Sequence, residues 1–160
     1  EIAKVLAGGG PITEELSIQA AQLAAQRRDQ MLRSGASFVT ETVFSHPSKV
    51  ELVRTAKAAG YTVHLHIVLV PVELSVNRVR ARVCNGGHDV PEDRIRARHE
   101  RLWNHVAEAI HLADIADIYD NTKATSPFKL LTRFHDGKPL TPEAPSWPTW
   151  APSILRPDQF

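Results

Sequence analysis

The stretch TVHLHIVLVP (residues 62–71) decides the fold of this chain. Its alternating positions form two faces, with Val63, Leu65, Ile67 and Leu69 on one and His64, His66, Val68 and Val70 on the other. A strand that is apolar on nearly both faces is typical of the middle of a parallel sheet that helices cover. The stretch therefore predicts a central β-strand in an α/β protein.

Helical and strand patterns alternate on both sides of this stretch. Helices are predicted over residues 13–33, 47–60, 73–83 and 91–112, and short strands over residues 38–44 and 115–119. Residues 128–140 predict a hairpin with Asp136-Gly137 as its turn, and a proline-rich tail follows to residue 160. We expect one domain over residues 1–160, with an α/β fold and a mostly parallel sheet.

Composition narrows the function classes. The 160 residues carry a net charge of +1, so any anion-binding surface must be local, and binding to nucleic acid or membranes is not expected. A single cysteine, Cys84, suits a reducing compartment, and no apolar run is long enough to cross a bilayer. We therefore expect a cytoplasmic protein. The chain opens inside a helical pattern, EIAKVLA, without a cap, so we also expect further residues upstream.

The stretch CNGGHDVPEDRIRARHER (residues 84–101) places two glycines and a proline before an arginine-rich helix. Arg94, Arg98 and Arg101 share one face of that helix, and Arg78 and Arg82 are one turn apart on the preceding helix. Guanidinium groups bind phosphate well because they donate two parallel hydrogen bonds. The stretch predicts either a mobile basic lid or an ordinary solvated helix, and the charge pattern alone favours the second.

Polar residues also follow two of the predicted strands. Glu41, with Thr42 and Ser45 beside it, is expected near the end of the strand over residues 38–44, and Asp120 and Asn121 end the last parallel strand. Ligands of parallel sheets bind beyond the carboxyl ends of the strands. Each group also has a structural alternative, which is a solvent-facing carboxylate for Glu41 and an Asx turn for Asp120 or Asn121.

The eight histidines form no metal-binding signature. His64 and His66 share a strand face but lack a third ligand in the sequence pattern, so they are interpreted as hydrogen-bonded core histidines and no metal site is predicted. The segment LAGGGP (residues 6–11) is not interpreted as a phosphate loop, because no Gly-Lys-Ser/Thr follows it.

Three segments together resemble the zeta toxin-like P-loop kinases, especially their chromosomal branch of predicted ATPases. They are GASFVTETVFS (residues 35–45), KAAGYTVHLHIVLVPVELSVNRVRARVCNGGHDVPEDRIRARHER (residues 57–101) and ADIADIYDNT (residues 113–122). The GGHDVPEDRI block is the most specific. The resemblance implies a three-layer α/β/α P-loop kinase fold with a helical lid at about residues 84–101.

The resemblance also implies a chemistry. Family members use ATP and Mg²⁺ and transfer the γ-phosphoryl group to a small-molecule acceptor, the best described being the nucleotide-sugar UDP-N-acetylglucosamine. An antitoxin protein is the partner that the family implies.

The resemblance assigns roles to single residues. Glu41 matches the strand-end glutamate that holds the substrate, with Thr42 and Ser45 beside it, and Arg82 matches a catalytic lid arginine. His88 falls close to a second lid arginine of the plasmid-type toxins, and Asn121 resembles the loop beside the adenine. Two further nucleotide-binding candidates come from the sequence pattern, Arg78 from its spacing to Arg82 and Asp120 from its place at the strand end. Arg98 is our own candidate for the missing charge of the second lid arginine, from helix geometry.

One part of the family pattern is not in these 160 residues. The strand, the Gly-x-x-x-x-Gly-Lys-Ser/Thr loop and the catalytic aspartate would all precede Glu1, so we expect the phosphate-loop strand to be missing from this chain. The alternative is a non-catalytic nucleotide-binding remnant, or a toxin subunit that needs a second chain. Nucleic-acid binding through the arginine helix is a third, weaker hypothesis, because the net charge is near zero.

Overall fold

The computed structural model describes residues 2–10, 13–87, 89–140 and 147–160, without the side chain of Lys4. The chain divides into two compact units, Glu1–Glu41 and Thr42–Phe160. His88 lies outside the described residues. The expectation of one domain over residues 1–160 stays a prediction.

The first unit consists of two helices, α1 (Ile2–Ala7) and α2 (Glu14–Ser34), which contact each other. The hydroxyl oxygen of Thr13 accepts a hydrogen bond from the Leu16 amide at 3.2 Å, which satisfies one of the open amides at the start of α2. Gly35 ends α2 with a φ of 68°, a conformation that glycine adopts without strain. The predicted helix over residues 13–33 is therefore confirmed.

Residues 36–45 form no strand, so the strand predicted over residues 38–44 is wrong. The segment has the β-branched and aromatic residues typical of strands. Such residues form a strand only where a neighbouring strand satisfies their backbone N–H and C=O groups. None of the described strands pairs with this segment.

The second unit has the alternating order that the sequence predicts. Its elements are α3 (Ser48–Ala58), β1 (His64–Leu69), α4 (Val72–Cys84), α5 (Glu92–Leu112), β2 (Ile115–Asp120), β3 (Lys129–His135), β4 (Lys138–Pro139) and two short 3-10 helices, Ser153–Leu155 and Pro157–Gln159. The predicted hairpin is confirmed, because β3 and β4 pair antiparallel around Asp136 and Gly137, which both have positive φ. Among the described residues, no helix is both long and apolar enough to cross a membrane.

The described sheet has the order β1-β2-β3-β4. Only the β1–β2 pair is parallel, whereas β2–β3 and β3–β4 are antiparallel, so a mostly parallel sheet is not confirmed. The β1 strand, predicted to be central, lies at one end of this order. The architecture is mixed α/β and consistent with a P-loop kinase-like fold.

One face of the sheet carries the hydrophobic core. Leu69, Ile118 and Phe134, one from each of the three longer strands, are fully buried together with Ile110 of α5. α3 and α4 both contact α5. The C-terminal residues pack on the same core through Leu155, Trp147, Trp150 and Phe160, so this part of the proline-rich tail is structural.

Candidate functional site

The carboxyl ends of the two parallel strands lie side by side. β1 ends at Leu69 and β2 ends at Asp120, and these two residues are register partners. The amide of Asn121 donates a hydrogen bond to the carbonyl of Leu69 at 3.0 Å, which ties the loop after β2 to the end of β1. This is the edge of a sheet at which parallel α/β proteins bind their ligands.

An arginine of α4 reaches this edge. The Nη2 atom of Arg78 donates a hydrogen bond to the backbone carbonyl of Asn121 at 2.9 Å. The structure thus brings together two residues that were predicted separately to bind nucleotide. Arg82 follows Arg78 by one turn of α4, so it lies on the same side of the helix. We call Arg78, Arg82, Asp120 and Asn121 the strand-end site.

Two hydrogen bonds shape the loop after β2. The Oδ1 atom of Asp120 accepts from the amide of Thr122 at 2.9 Å, which is the Asx turn that was the structural alternative for this residue. The side-chain carbonyl of Asn121 accepts from the amide of Phe128 at 3.4 Å. These two side chains therefore hold the loop in shape, and nucleotide binding by them stays a prediction.

The second glycine after α4, Gly87, lies close against Arg82. A Cβ atom at Gly87 would lie 2.5 Å from Cγ of Arg82 and 2.9 Å from its carbonyl oxygen, so no larger residue fits there without displacing the arginine. The amide of Gly87 also donates to the Arg82 carbonyl at 2.9 Å. The backbone at this turn therefore helps to position Arg82.

A cluster of ion pairs joins the two helices of the predicted lid. Arg96 of α5 donates two hydrogen bonds to the carboxylate of Glu73 at the start of α4, at 2.6 and 2.9 Å. Arg96 also bonds Glu92 on its own helix, and Glu92 accepts from Arg80 of α4 at 2.6 Å. These hydrogen bonds from Arg96 lower the pKa of both glutamates. We call Glu73, Arg80, Glu92 and Arg96 the α4–α5 ion-pair cluster.

The cluster uses an arginine that the sequence reasoning did not select. Arg96 is only two positions from Arg98, the predicted catalytic candidate. Two positions turn a helix by about 200°, so the two arginines lie on opposite sides of α5. Arg98 is half-buried, and its side chain makes no hydrogen bond or ion pair with a described residue. Its catalytic role stays a prediction. The alternation of Glu and Arg at 73, 80, 92 and 96 was the available signal for the cluster.

The predicted acceptor-binding residues lie in the segment that forms no strand. Glu41 is exposed and is the last residue of the first unit, so its expected position at a strand end is wrong. Thr42 and Ser45 belong to the second unit, where the Thr42 hydroxyl lies at a long 3.5 Å from the carbonyl of Val43. Binding of an acceptor by these three residues stays a prediction.

The family assignment rests on the length of the match. The family model of the zeta toxin matches residues 7–129, which include α2, the strand-end site and both helices of the lid. The chain belongs to the zeta toxin family. Membership of this family suggests a kinase-like, nucleotide-binding role.

A curated relative is similar to part of this zeta toxin family chain. It is a protein of Haemophilus influenzae named only as an uncharacterized protein, with 33% identity over 69 residues, or 42% of this chain and 49% of the relative. The chain thus spans about half the length of the relative. No solved structure matches the chain.

The sheet face opposite the core carries a polar group of side chains. Asp117 of β2 is fully buried, and its carboxylate is held by both Nε and Nη2 of Arg133 on β3, the latter at 2.8 Å. His64 and Tyr119 contact Oδ2 of the same carboxylate at 3.0 and 3.1 Å. The hydrogen bonds from Arg133, and more weakly those from His64 and Tyr119, lower the pKa of Asp117 to about 2.

The interpretation of His64 and His66 as core histidines is wrong, because both are exposed on this face. Sequence reasoning also missed Asp117 and Arg133. Asp117 is a charged residue inside an apolar strand pattern, which was the available signal, but its partners depend on the register between strands. The register sets His66, Asp117 and Arg133 side by side across three strands.

Proposed function

We propose that this zeta toxin family chain forms the lid and the nucleotide loop of an ATP-dependent phosphotransferase. The enzyme transfers the γ-phosphoryl group of ATP to a hydroxyl group of a small acceptor, for which we propose a nucleotide-sugar such as UDP-N-acetylglucosamine. The observation that supports the proposal most is the hydrogen bond from Arg78 to Asn121, because it brings the arginine-bearing side of α4 to the ends of the parallel strands.

The arginines of α4 fit a phosphate-bearing ligand in charge and in donors. Arg78 uses one N–H on the Asn121 carbonyl and keeps its others, and its guanidinium is exposed to solvent. Phosphoryl transfer depends mainly on positioning and on stabilising negative charge, which Arg82 would supply from its place beside Gly87. Closing of the lid would exclude the water that competes with the acceptor hydroxyl.

Mg²⁺ remains an expectation from the family. Among the described residues, one group of three His, Cys, Asp or Glu side chains is close enough to share an ion. That group lies on the sheet face and not at the strand-end site. Asp120 is engaged by the amide of Thr122. ATP would supply the phosphoryl group, and this chain supplies arginine contacts to it.

A second candidate is a non-catalytic nucleotide-binding protein, either a remnant or a toxin subunit that needs a second chain. Both candidates bind nucleotide, so they differ only in phosphoryl transfer.

The test is calorimetric titration of ATP with Mg²⁺ into the protein as its gene encodes it, followed by an assay for phosphorylated UDP-N-acetylglucosamine. Arg78→Ala is the informative variant. Arg54→Ala is the matched control, because Arg54 is an exposed arginine of α3 that pairs with Glu51 and Glu108. Binding that Arg78→Ala weakens, together with transfer, supports the phosphotransferase. Binding without transfer to any acceptor supports the second candidate, and absence of binding contradicts both.

Acceptor binding by Glu41 is tested separately. We expect Glu41→Gln to raise the KM for the acceptor or to lower acceptor phosphorylation, because a neutral amide is a weaker hydrogen-bond acceptor than a carboxylate. ATP affinity should be unchanged. Loss of ATP affinity in this variant contradicts an acceptor role for Glu41. We also propose an antitoxin protein as the partner, which the family implies, and a cytoplasmic location, which the composition implies.

A further inference from the structure

Two histidines and a carboxylate converge on the sheet face opposite the core. His64 and His66 occupy alternate positions of β1, and Asp117 of β2 is the register partner of His66. The two imidazole rings are 4.0 Å apart between centroids. One ligand atom from each of the three residues can be chosen so that all three lie within 4.8 Å of one another.

The distances are close to those of a metal site. Zinc binds histidine nitrogen and carboxylate oxygen at about 2.0–2.2 Å, so two such ligands in a tetrahedral site are roughly 3.3 Å apart. Nε2 of His64 and Oδ2 of Asp117 are 3.0 Å apart, which is already near that separation. His66 is exposed, and its ring lies beside the rings of His64 and Tyr119, from where a ring nitrogen can turn toward the other two ligands.

Neighbouring side chains hold the carboxylate in place. Arg133 binds both oxygens of Asp117, and its positive charge keeps the carboxyl ionised, as a metal ligand must be. Tyr119 contacts Oδ2 of Asp117 at 3.1 Å and Nδ1 of His66 at 3.2 Å. Metal-ligating carboxylates and histidines commonly have outer hydrogen-bond partners of this kind, which fix their orientation.

We propose that His64, His66 and Asp117 bind a divalent cation of the zinc type, which joins β1 to β2 on the open face of the sheet. Nitrogen and oxygen ligands in this number suit zinc, with a fourth position left for water or the Tyr119 hydroxyl. The charge of Arg133 weakens the attraction for a cation, so the ion is held less tightly than in a site without an arginine. The proposal is independent of nucleotide binding.

The site is separate from the strand-end site. Asp117 precedes Asp120 by three residues along β2, a distance of about 10 Å at the rise of a strand. Without a metal, the same contacts form a hydrogen-bonded network in which His64 donates to Asp117. The experiment distinguishes a metal site from that network alone.

The experiment measures zinc binding by calorimetry and by the shift of the melting temperature in the whole protein, freed of any purification tag. We expect Zn²⁺ to bind at one equivalent and to raise the melting temperature, because it binds only the folded arrangement. His66→Ala and His64→Ala should lower the affinity by more than about 100-fold, a loss beyond that of an outer partner. Cobalt bound in place of zinc should show the visible spectrum of a site with fewer than six ligands.

His135→Ala is the matched control. His135 is an exposed histidine of β3 that also lies beside a carboxylate, Asp136, at 3.2 Å, but it is not part of the group of three. It should keep the zinc response of the unchanged protein. A single cooperative melting transition without zinc shows that each variant is folded, and His66 is the safer of the two positions because His64, and not His66, hydrogen-bonds Asp117. Absence of zinc binding, retention of binding in both β1 variants, or equal loss in His135→Ala overturns the proposal.

Discussion

At the scale of single residues, Asp117 stands out as a fully buried ionisable group among the described residues of the second unit. Its side chain is buried, whereas the side chain of its partner Arg133 is 48% exposed. A buried carboxylate is stable only where hydrogen bonds replace the water it has lost, and Arg133, His64 and Tyr119 provide them. Loss of one partner is costly because the remaining charge stays buried.

Asp117 gives the protein a predictable sensitivity to acid. Its pKa falls from 3.8 to about 2 on folding, so the unfolded chain takes up the proton first as the pH drops. The stabilisation is complete above pH 4 and is lost as the pH falls toward 2, by about 2 kcal/mol at most, since Arg133 is partly screened by solvent. Urea unfolding as a function of pH measures this loss.

The comparison variant for this prediction is Asp117→Asn, with Asp158→Asn as an exposed control. The difference in the free energy of unfolding between the unchanged protein and Asp117→Asn should narrow between pH 5 and pH 2. The same difference for Asp158→Asn should stay near zero. If the difference in the free energy of unfolding between the unchanged protein and Asp117→Asn does not vary with pH, the ion pair between Asp117 and Arg133 is contradicted.

Arg82 belongs to the same scale, and its prediction concerns rate. If the proposed phosphotransferase is correct, Arg82→Ala lowers kcat by about 10³-fold, because an arginine that meets the transferring phosphoryl group acts mainly in the transition state. The KM for the acceptor should change little. Steady-state kinetics measure both constants, with Arg54→Ala as the control, and an unchanged kcat removes Arg82 from the mechanism.

At the scale of elements, the α4–α5 ion-pair cluster decides how the two lid helices are joined. Glu73 and Arg80 are seven residues apart on α4 and face Arg96 and Glu92 of α5, so the helices run antiparallel. The lid was predicted from its glycines and from arginines that meet phosphate. The structure shows that two other arginines, Arg80 and Arg96, connect the helices, and the phosphate contacts of Arg82 and Arg98 stay a prediction.

We expect the cluster to be sensitive to salt. Arg96→Ala removes contacts to Glu73 and Glu92 at once, so it should lower the melting temperature at low ionic strength. The difference from the unchanged protein should shrink in 1 M salt, where charges are screened beyond about 3 Å. Arg54→Ala is a matched control, because Arg54 also pairs with one glutamate of its own helix and one of α5, but it reaches α5 through a single hydrogen bond and should cost less. A loss that is equal at both salt concentrations indicates packing by the Arg96 side chain and not ion pairing.

At the scale of the whole molecule, β1 is the element with an open side. The carbonyls of Val63 and Leu69 accept hydrogen bonds from the β2 side, so the backbone groups of His64, His66 and Val68 face the other way. Among the described residues no strand pairs with that edge. An unprotected edge with apolar residues on it favours pairing with another strand.

Amide hydrogen exchange tests this edge in the chain of residues 1–160. The amides of His66 and Val68 should exchange faster than those of Ile67 and Ile118. The amide of Ile67 faces β2, and Ile118 belongs to β2, which pairs on both sides. Exchange monitored residue by residue by NMR gives the comparison. Slow exchange at both His66 and Val68 contradicts an open edge at β1.

The sequence by itself determined the elements whose signals are local. The helices α2, α4 and α5, the strand β1 and the hairpin turn at Asp136 follow from periodicity, caps and turn residues, which act within a few positions along the chain. The strand-end candidates were also found from local patterns, Asn121 because it follows the end of a predicted strand and Arg78 because it lies one turn from Arg82 on a predicted helix.

Only the tertiary structure decided which elements pair and which charges meet. The β-rich stretch over residues 38–44 forms no strand because a strand needs a partner, and its sequence does not specify one. Asp117 meets Arg133 and the histidines of β1 through the register of three strands, and Arg96 meets Glu73 across two helices. These contacts join residues that are distant in sequence. They stabilise the protein only after the chain has packed, so no local sequence pattern predicts them.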